Sequence, residues 1–210
     1  MKQLFDINSL AFEVYGYPVS YVELIGTLFG LVSVYYASKA NILTWPTGII
    51  NELFLFILFF QVQLYADMFL QVYFFVVTLY GWYNWKQAPK FKDVSSISLK
   101  AKFWLAGAMA IGALFCGYLF SNIHWILPRY FPEKAAYPYA DSFIMVSSIV
   151  ATVFLARKKI ETWYLWIIVD LFCVFLFFKR GIFVLGVEYI VFLGLASYGL
   201  FNWQKQLRHD

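Results

Sequence analysis

Apolar residues gather in seven long runs, at approximately 21–38, 43–61, 67–85, 103–121, 141–156, 162–178 and 182–203, with polar residues concentrated between them. Runs of roughly 17–25 residues suit helices that cross a bilayer, so the pattern predicts seven transmembrane helices. Part of the pattern occurs twice. Residues 23–87 and 141–206 are two copies of one segment, offset by a constant 118 positions. At that offset Glu23 falls on Asp141, Thr44-Trp45 on Thr162-Trp163, and Glu52 on Asp170. Tyr80-Gly81 and Asn84-Trp85 likewise fall on Tyr198-Gly199 and Asn202-Trp203. The apolar filler is shared only loosely, whereas an acid, a Trp and an Asn interrupt it at matching depths. Such a duplicated unit implies a carrier built around a pseudo-twofold site.

The runs group as three, one and three. A three-helix unit starts and finishes on opposite faces of the membrane, so a second copy in the same orientation needs one extra crossing. The fourth run supplies it. Its Ala106, Ala110, Gly112, Ala113 and Gly117 are small residues at helix-packing spacing, which reads as a packing helix without a site. The expected organisation is an external segment 1–20, a first repeat 21–87, a linker region 88–140 containing the helix 103–121, a second repeat 141–206 and a tail 207–210.

Composition excludes a water-soluble globule. The chain is 62% hydrophobic and 13% charged, with mean hydropathy +0.69, against about 25% charge in soluble domains. Cys116 and Cys173 lie in apolar runs without a motif, and His124 and His209 are the only histidines. No metal site, catalytic residue, cofactor or ATP-binding loop is therefore expected. The net charge of +4 reflects basic membrane flanks rather than a nucleic-acid face. Residues 1–20 carry charges and no apolar core, so no cleavable signal peptide is expected. Five Lys or Arg residues (2, 129, 134, 179 and 180) fall on the N-terminal side of the membrane. The other eleven (39, 86, 90, 92, 100, 102, 157, 158, 159, 205 and 208) fall on the opposite side. The positive-inside rule puts the eleven in the cytoplasm, with the N-terminus outside and the C-terminus inside.

Three acids lie within the runs: Glu52, Asp170 and Glu188. A carboxylate at the bilayer centre costs at least ~2.5–3.5 kcal/mol on insertion scales. Each must be protonated, hydrated, or neutralised by something that visits, and a visiting cation is the economical choice. Glu52 and Asp170 share one repeat position and are expected to face the pseudo-twofold axis; a protonated acid bonded between helices is the alternative. Trp163, Trp166 and Asp170 fall at i, i+3 and i+7, on one helical stripe, where the first repeat has Trp45, Gly48 and Glu52. Indole rings beside an acid would seat a planar cationic ring, although Trp residues also populate membrane interfaces. Tyr80 with Asn84, and Tyr198 with Asn202, form i, i+4 pairs suited to a hydroxyl or aminopyrimidine edge, or to capping a helix end. Asn51, Gln61, Gln63 and Gln71 add polarity; Gln71 matches Glu188 if one gap is allowed, which makes both further pocket candidates. Glu23 and Asp141 would attract a cation to the outer face or simply start their helices.

These residues resemble the Pnu vitamin transporters over roughly 20–206. The likeness rests on Gln61–Ala66, Leu70–Val72, Tyr80–Trp85, Asp141-Ser142, Trp163-x-x-Trp166 and Glu188-Tyr189-Ile190. The resemblance implies an all-α integral membrane protein with a SWEET-like 3+1+3 arrangement. It also implies facilitated diffusion of an unphosphorylated B vitamin across the bacterial inner membrane, with trapping by a cytoplasmic kinase. Members differ in cargo: nicotinamide riboside, thiamin or riboflavin. The nicotinamide riboside branch carries an Asn four residues after the second Trp, where this chain has Asp170, with Glu52 at the matching place. Riboflavin is neutral and larger. The added acids make thiamin, a thiazolium cation, the expected cargo, with nicotinamide riboside, also cationic, as the alternative. A proton-coupled carrier and a vitamin-binding subunit of an ATP-driven importer are further readings, and self-association is left open.

Overall fold

Seven α-helices build the described part of the chain: α1 (Tyr21–Ser38), α2 (Thr44–Gln61), α3 (Tyr65–Lys86), α4 (Leu99–Ile126), α5 (Pro138–Ala156), α6 (Glu161–Lys179) and α7 (Phe183–His209). The computed structural model describes residues 2–14, 16–61, 65–87, 94–129, 134–135, 137–179 and 183–209. Gln63 and the loop cations Lys90, Lys92 and Arg180 lie outside them. Each helix contains one apolar run. Among the described residues α1, α4, α5 and α6 are long and apolar enough to cross a membrane on length and composition. The polar candidates Glu52, Gln71 and Glu188 fall in the other three, α2, α3 and α7. Two helices outrun their apolar stretch by four residues or more, α4 at both ends and α7 by continuing to His209. Intrahelical hydrogen bonding does not stop where hydropathy does, and a cap is needed to end it. Ser98 supplies one for α4 by accepting from the Ala101 N–H at 3.3 Å.

The N-terminal segment is structured too. A 3-10 turn (Lys2–Phe5) precedes an antiparallel hairpin, β1 (Leu10–Val14) and β2 (Tyr17–Ser20). A two-residue connection joins the strands, and Gly16 takes φ +82° there, a conformation that glycine adopts at no steric cost. Strand β2 runs directly into α1, whose N-cap Ser20 accepts from Glu23 N–H at 3.2 Å. Glu23, three residues on, completes the sequence signature of a capped start. It also accepts from the Tyr17 hydroxyl at 2.9 Å.

The helices fall into two compact units. One comprises Met1–Val94, Leu155–Lys158 and Tyr198–Asp210; the other comprises Ser95–Phe154 and Lys159–Ser197. In the first, α1 packs on α2 and α2 on α3. In the second, the packing role expected of α4 has a concrete contact: a Cβ on Gly117 would run into the Tyr139 ring of α5.

The turns α1–α2 and α5–α6 correspond bond for bond at the offset of 118. Ala40 N–H to Ala37 O (2.9 Å) matches Lys158 N–H to Leu155 O (3.0 Å), and Asn41 N–H to Tyr36 O (3.0 Å) matches Lys159 N–H to Phe154 O (2.9 Å). Thr44 Oγ1 donates to Ser33 O at 3.0 Å, and Thr162 Oγ1 to Ala151 O at 2.9 Å. Both turns place a non-glycine residue at positive φ, Ala40 at 51° and Lys158 at 50°. The shared Thr-Trp at each second-helix start thus has a structural reason: the threonine staples its helix to the one before.

The second turn also holds the linker. Glu161 Oε1 accepts from Ser96 Oγ at 2.6 Å and Ile97 N–H at 3.2 Å, and pairs with Lys102 at 3.0 Å. Lys159 Nζ donates to Ser95 Oγ at 2.8 Å.

Candidate functional site

Helix α2 buries one stripe, made of Thr44, Trp45, Gly48 and Glu52, the inward face that the i, i+3, i+7 spacing predicts. Glu52 is only 7% exposed. Its Oε1 accepts from the Thr78 hydroxyl of α3 at 2.5 Å, while Oε2 is buried without a hydrogen-bond partner among the described residues. An unpaired buried carboxyl oxygen is costly, which makes this atom a candidate acceptor. Gly48 keeps space beside it: a Cβ there would sit 4.0 Å from Glu52 Oε1 and 3.2 Å from Ser33 Oγ.

One turn earlier, the Trp45 ring lies against Gly81 of α3, where any Cβ would overlap it. Trp45 meets Trp85 edge to face, centroids 5.1 Å apart at 89°, a favourable arrangement for two quadrupolar rings. Trp85 in turn lies 6.4 Å from Trp203, and the Lys158 ammonium stands 4.8 Å above the Trp85 ring. The indole N–H groups of Trp45 and Trp85 are buried without acceptors among the described residues. This unit therefore offers two unused indole donors near one end of the α2 stripe and an unused carboxylate oxygen further along it.

The other unit carries the counterpart on α6. Trp163 and Asp170 are buried, Asp170 to 3% exposure, and Trp166 is half-buried. Tyr189 of α7 lies beside Asp170 and hydrogen-bonds Cys173, and its ring stacks on Phe177 at 5.3 Å. Glu188 is half-buried.

Several polar candidates turn out to serve the scaffold. Asn51 donates to Gly26 O of α1 at 2.8 Å, and Asn202 to Ser38 O at 3.4 Å, which favours helix-end capping there over ligand contact. Gln61 accepts from Ile7 N–H and donates to Phe5 O, tying down the N-terminal segment. Asn84 is buried, with its amide nitrogen unpaired among the described residues. Tyr80 and Tyr198 stay exposed, at 41% and 42%. Gln71 is buried.

Sequence reasoning missed Thr78, the partner of Glu52. A signal existed. At the common offset Thr78 faces Ala196, so one half carries a hydroxyl where the other carries none.

Residues 20–205 match the family model described as Nicotinamide mononucleotide transporter. The chain belongs to that family. Membership makes it a membrane transporter and not an enzyme. It is similar to the nicotinamide riboside transporter PnuC of Escherichia coli (strain K12), 33% identical over 92% of this chain and 89% of that protein. It is also similar to the riboflavin/roseoflavin transporter RibM of Streptomyces davaonensis, 27% identical over 97% of this chain and 94% of that one. Its fold matches the crystal structure of the vitamin B3 transporter PnuC with TM-score 0.68 at 21% identity, covering 90% of this chain and 83% of that one.

Proposed function

We propose that this chain carries nicotinamide riboside across the bacterial cytoplasmic membrane by facilitated diffusion, with a cytoplasmic kinase trapping the product. The observation that carries this reading is the 33% identity, over nearly the whole chain, to the E. coli nicotinamide riboside transporter. This corrects the order of cargoes reached from the sequence, where Asp170 and Glu52 favoured thiamin. Those acids call for a cation, and the pyridinium of nicotinamide riboside is one, so charge does not separate the two vitamins. Whole-chain similarity favours nicotinamide riboside over thiamin. The buried carboxylates of Glu52 and Asp170 are the groups that suit the positive ring on its route, and the Trp45 and Trp85 N–H groups suit ribose or carboxamide oxygens. RibM supports a second reading, riboflavin, but a neutral isoalloxazine makes no use of two buried acids. In this reading the helices follow the 3+1+3 plan, with the N-terminus outside and the C-terminus in the cytoplasm.

The test is a titration of the purified protein with nicotinamide riboside, riboflavin and thiamin side by side. Nicotinamide riboside should saturate at the lowest concentration of the three. Tighter binding of thiamin than of nicotinamide riboside would sink the proposal.

A further inference from the structure

The N-terminal segment displays apolar side chains that the described residues cover only in part. Leu4, Phe5, Leu10 and Phe12 are 40%, 45%, 52% and 47% exposed, and Tyr17 and Tyr21 beside them are 39% exposed. In water such a cluster on one small hairpin would be a liability, so its surroundings decide what it means.

Three contacts fix its depth. Strand β2 ends at Ser20 and α1 starts at Tyr21 without a linker, so the hairpin sits where the first span leaves the bilayer. The amide of Gln61, the last residue of α2, bonds Phe5 O at 2.6 Å and Ile7 N–H at 2.9 Å. The Phe5 ring stacks on Phe54, centroids 5.4 Å apart at 22°. Phe54 lies seven residues before the end of α2, about 10 Å along the helix at 1.5 Å per residue. The polar zone on each side of the hydrocarbon core is only about 5–8 Å thick. The backbone of the segment therefore runs at the level of a helix end, while Phe5 reaches into the hydrocarbon. Tyr17 and Tyr21 are the residue type that favours this boundary. Asp6 and Glu13 are exposed as well, giving the element a water-facing side.

We propose that residues 4–14 and 16–21 form a membrane-interface element that inserts Leu4, Phe5, Leu10 and Phe12 into the headgroup–acyl boundary of the lipid bilayer. Its partner is lipid, because the segment is held against α1 and α2, which carry exposed apolar residues of their own such as Leu28, Leu53 and Phe60. A lone two-stranded hairpin is marginal in water, and lipid contact supplies the apolar burial that its own strands lack.

The experiment places spin labels at Leu10→Cys, Phe12→Cys and Glu13→Cys in the full chain with Cys116→Ala and Cys173→Ala, reconstituted in phosphatidylethanolamine/phosphatidylglycerol vesicles. Labels at positions 10 and 12 should be relaxed several-fold more by oxygen than by a water-soluble nickel chelate, with the order reversed at position 13. Preferential relaxation by nickel at 10 and 12 would overturn the proposal. So would inaccessibility to both agents, which would mean that a second copy or another protein covers the hairpin. If the cysteine-free background misfolds, a photoactivatable phospholipid applied to the native chain gives the same decision. Adducts within residues 4–12 support lipid contact, and adducts confined to the helices refute it.

Discussion

Thr78 and Glu52 show how little of a membrane site depends on the residue that first draws attention. A carboxylate in an apolar run is conspicuous because it is expensive there, whereas a threonine in the same run passes as filler. Yet Thr78 holds one oxygen of Glu52 at 2.5 Å and leaves the other unpaired. Thr78→Val keeps the shape and removes the donor. It should lower nicotinamide riboside affinity about tenfold, the equivalent of about 1.4 kcal/mol, while Thr78→Ser restores it; isothermal titration checks both. Asn51 and Asn202 illustrate the converse. An amide in an apolar stretch looks the same in sequence whether it meets a ligand or a backbone carbonyl, and here both meet carbonyls of α1. Gly81→Ala tests packing instead. Its new Cβ would collide with the Trp45 ring, and overpacking of this kind costs about 1–3 kcal/mol. The expected outcome is a lower midpoint of thermal unfolding in detergent.

At the scale of elements, the helices were legible because the bilayer sets both their length and their apolarity, and each of the seven runs falls, all but its first residue at most, within one of α1 to α7. Less legible was whatever does not answer to hydropathy. The outer turns of α4 follow hydrogen bonding and a Ser98 cap. The N-terminal hairpin is marked only by short alternation and Gly16. The docking of Ser96 and Lys102 on the α5–α6 turn depends on a Glu161 that looks like an ordinary helix start, and that of Ser95 on Lys159. The two turns related by the offset make a sharper prediction. A non-glycine residue at φ near +50° carries about 1–2 kcal/mol of strain, and glycine gives back part of that relief, about 0.5–1 kcal/mol, in unfolded-state entropy. Ala40→Gly should therefore raise the unfolding midpoint slightly. Lys158→Gly relieves the same strain but removes the ammonium above Trp85, so its gain should be smaller or reversed. Paired melting curves of the two variants check that difference.

For the molecule as a whole, the question is what drives the cargo. The buried acids Glu52 and Asp170 lie on α2 and α6, at matching positions of the sequence duplication, and the proposed cargo is a cation that such acids would neutralise. A carboxylate that neutralises a permeating cation has no need of a proton as a second passenger, and it lowers the barrier equally in both directions. Transport through such a path runs down the electrochemical gradient of the cation and, without a membrane potential, stops when concentrations match. Vesicles containing only this chain should equilibrate labelled nicotinamide riboside with the outside medium, unaffected by an uncoupler. Accumulation should occur only when a nicotinamide riboside kinase and ATP are enclosed, because the phosphorylated product carries negative charge that two acids repel. Accumulation in empty vesicles that collapses with an uncoupler would instead make Glu52 and Asp170 proton-carrying groups, and the route would then be a coupled one.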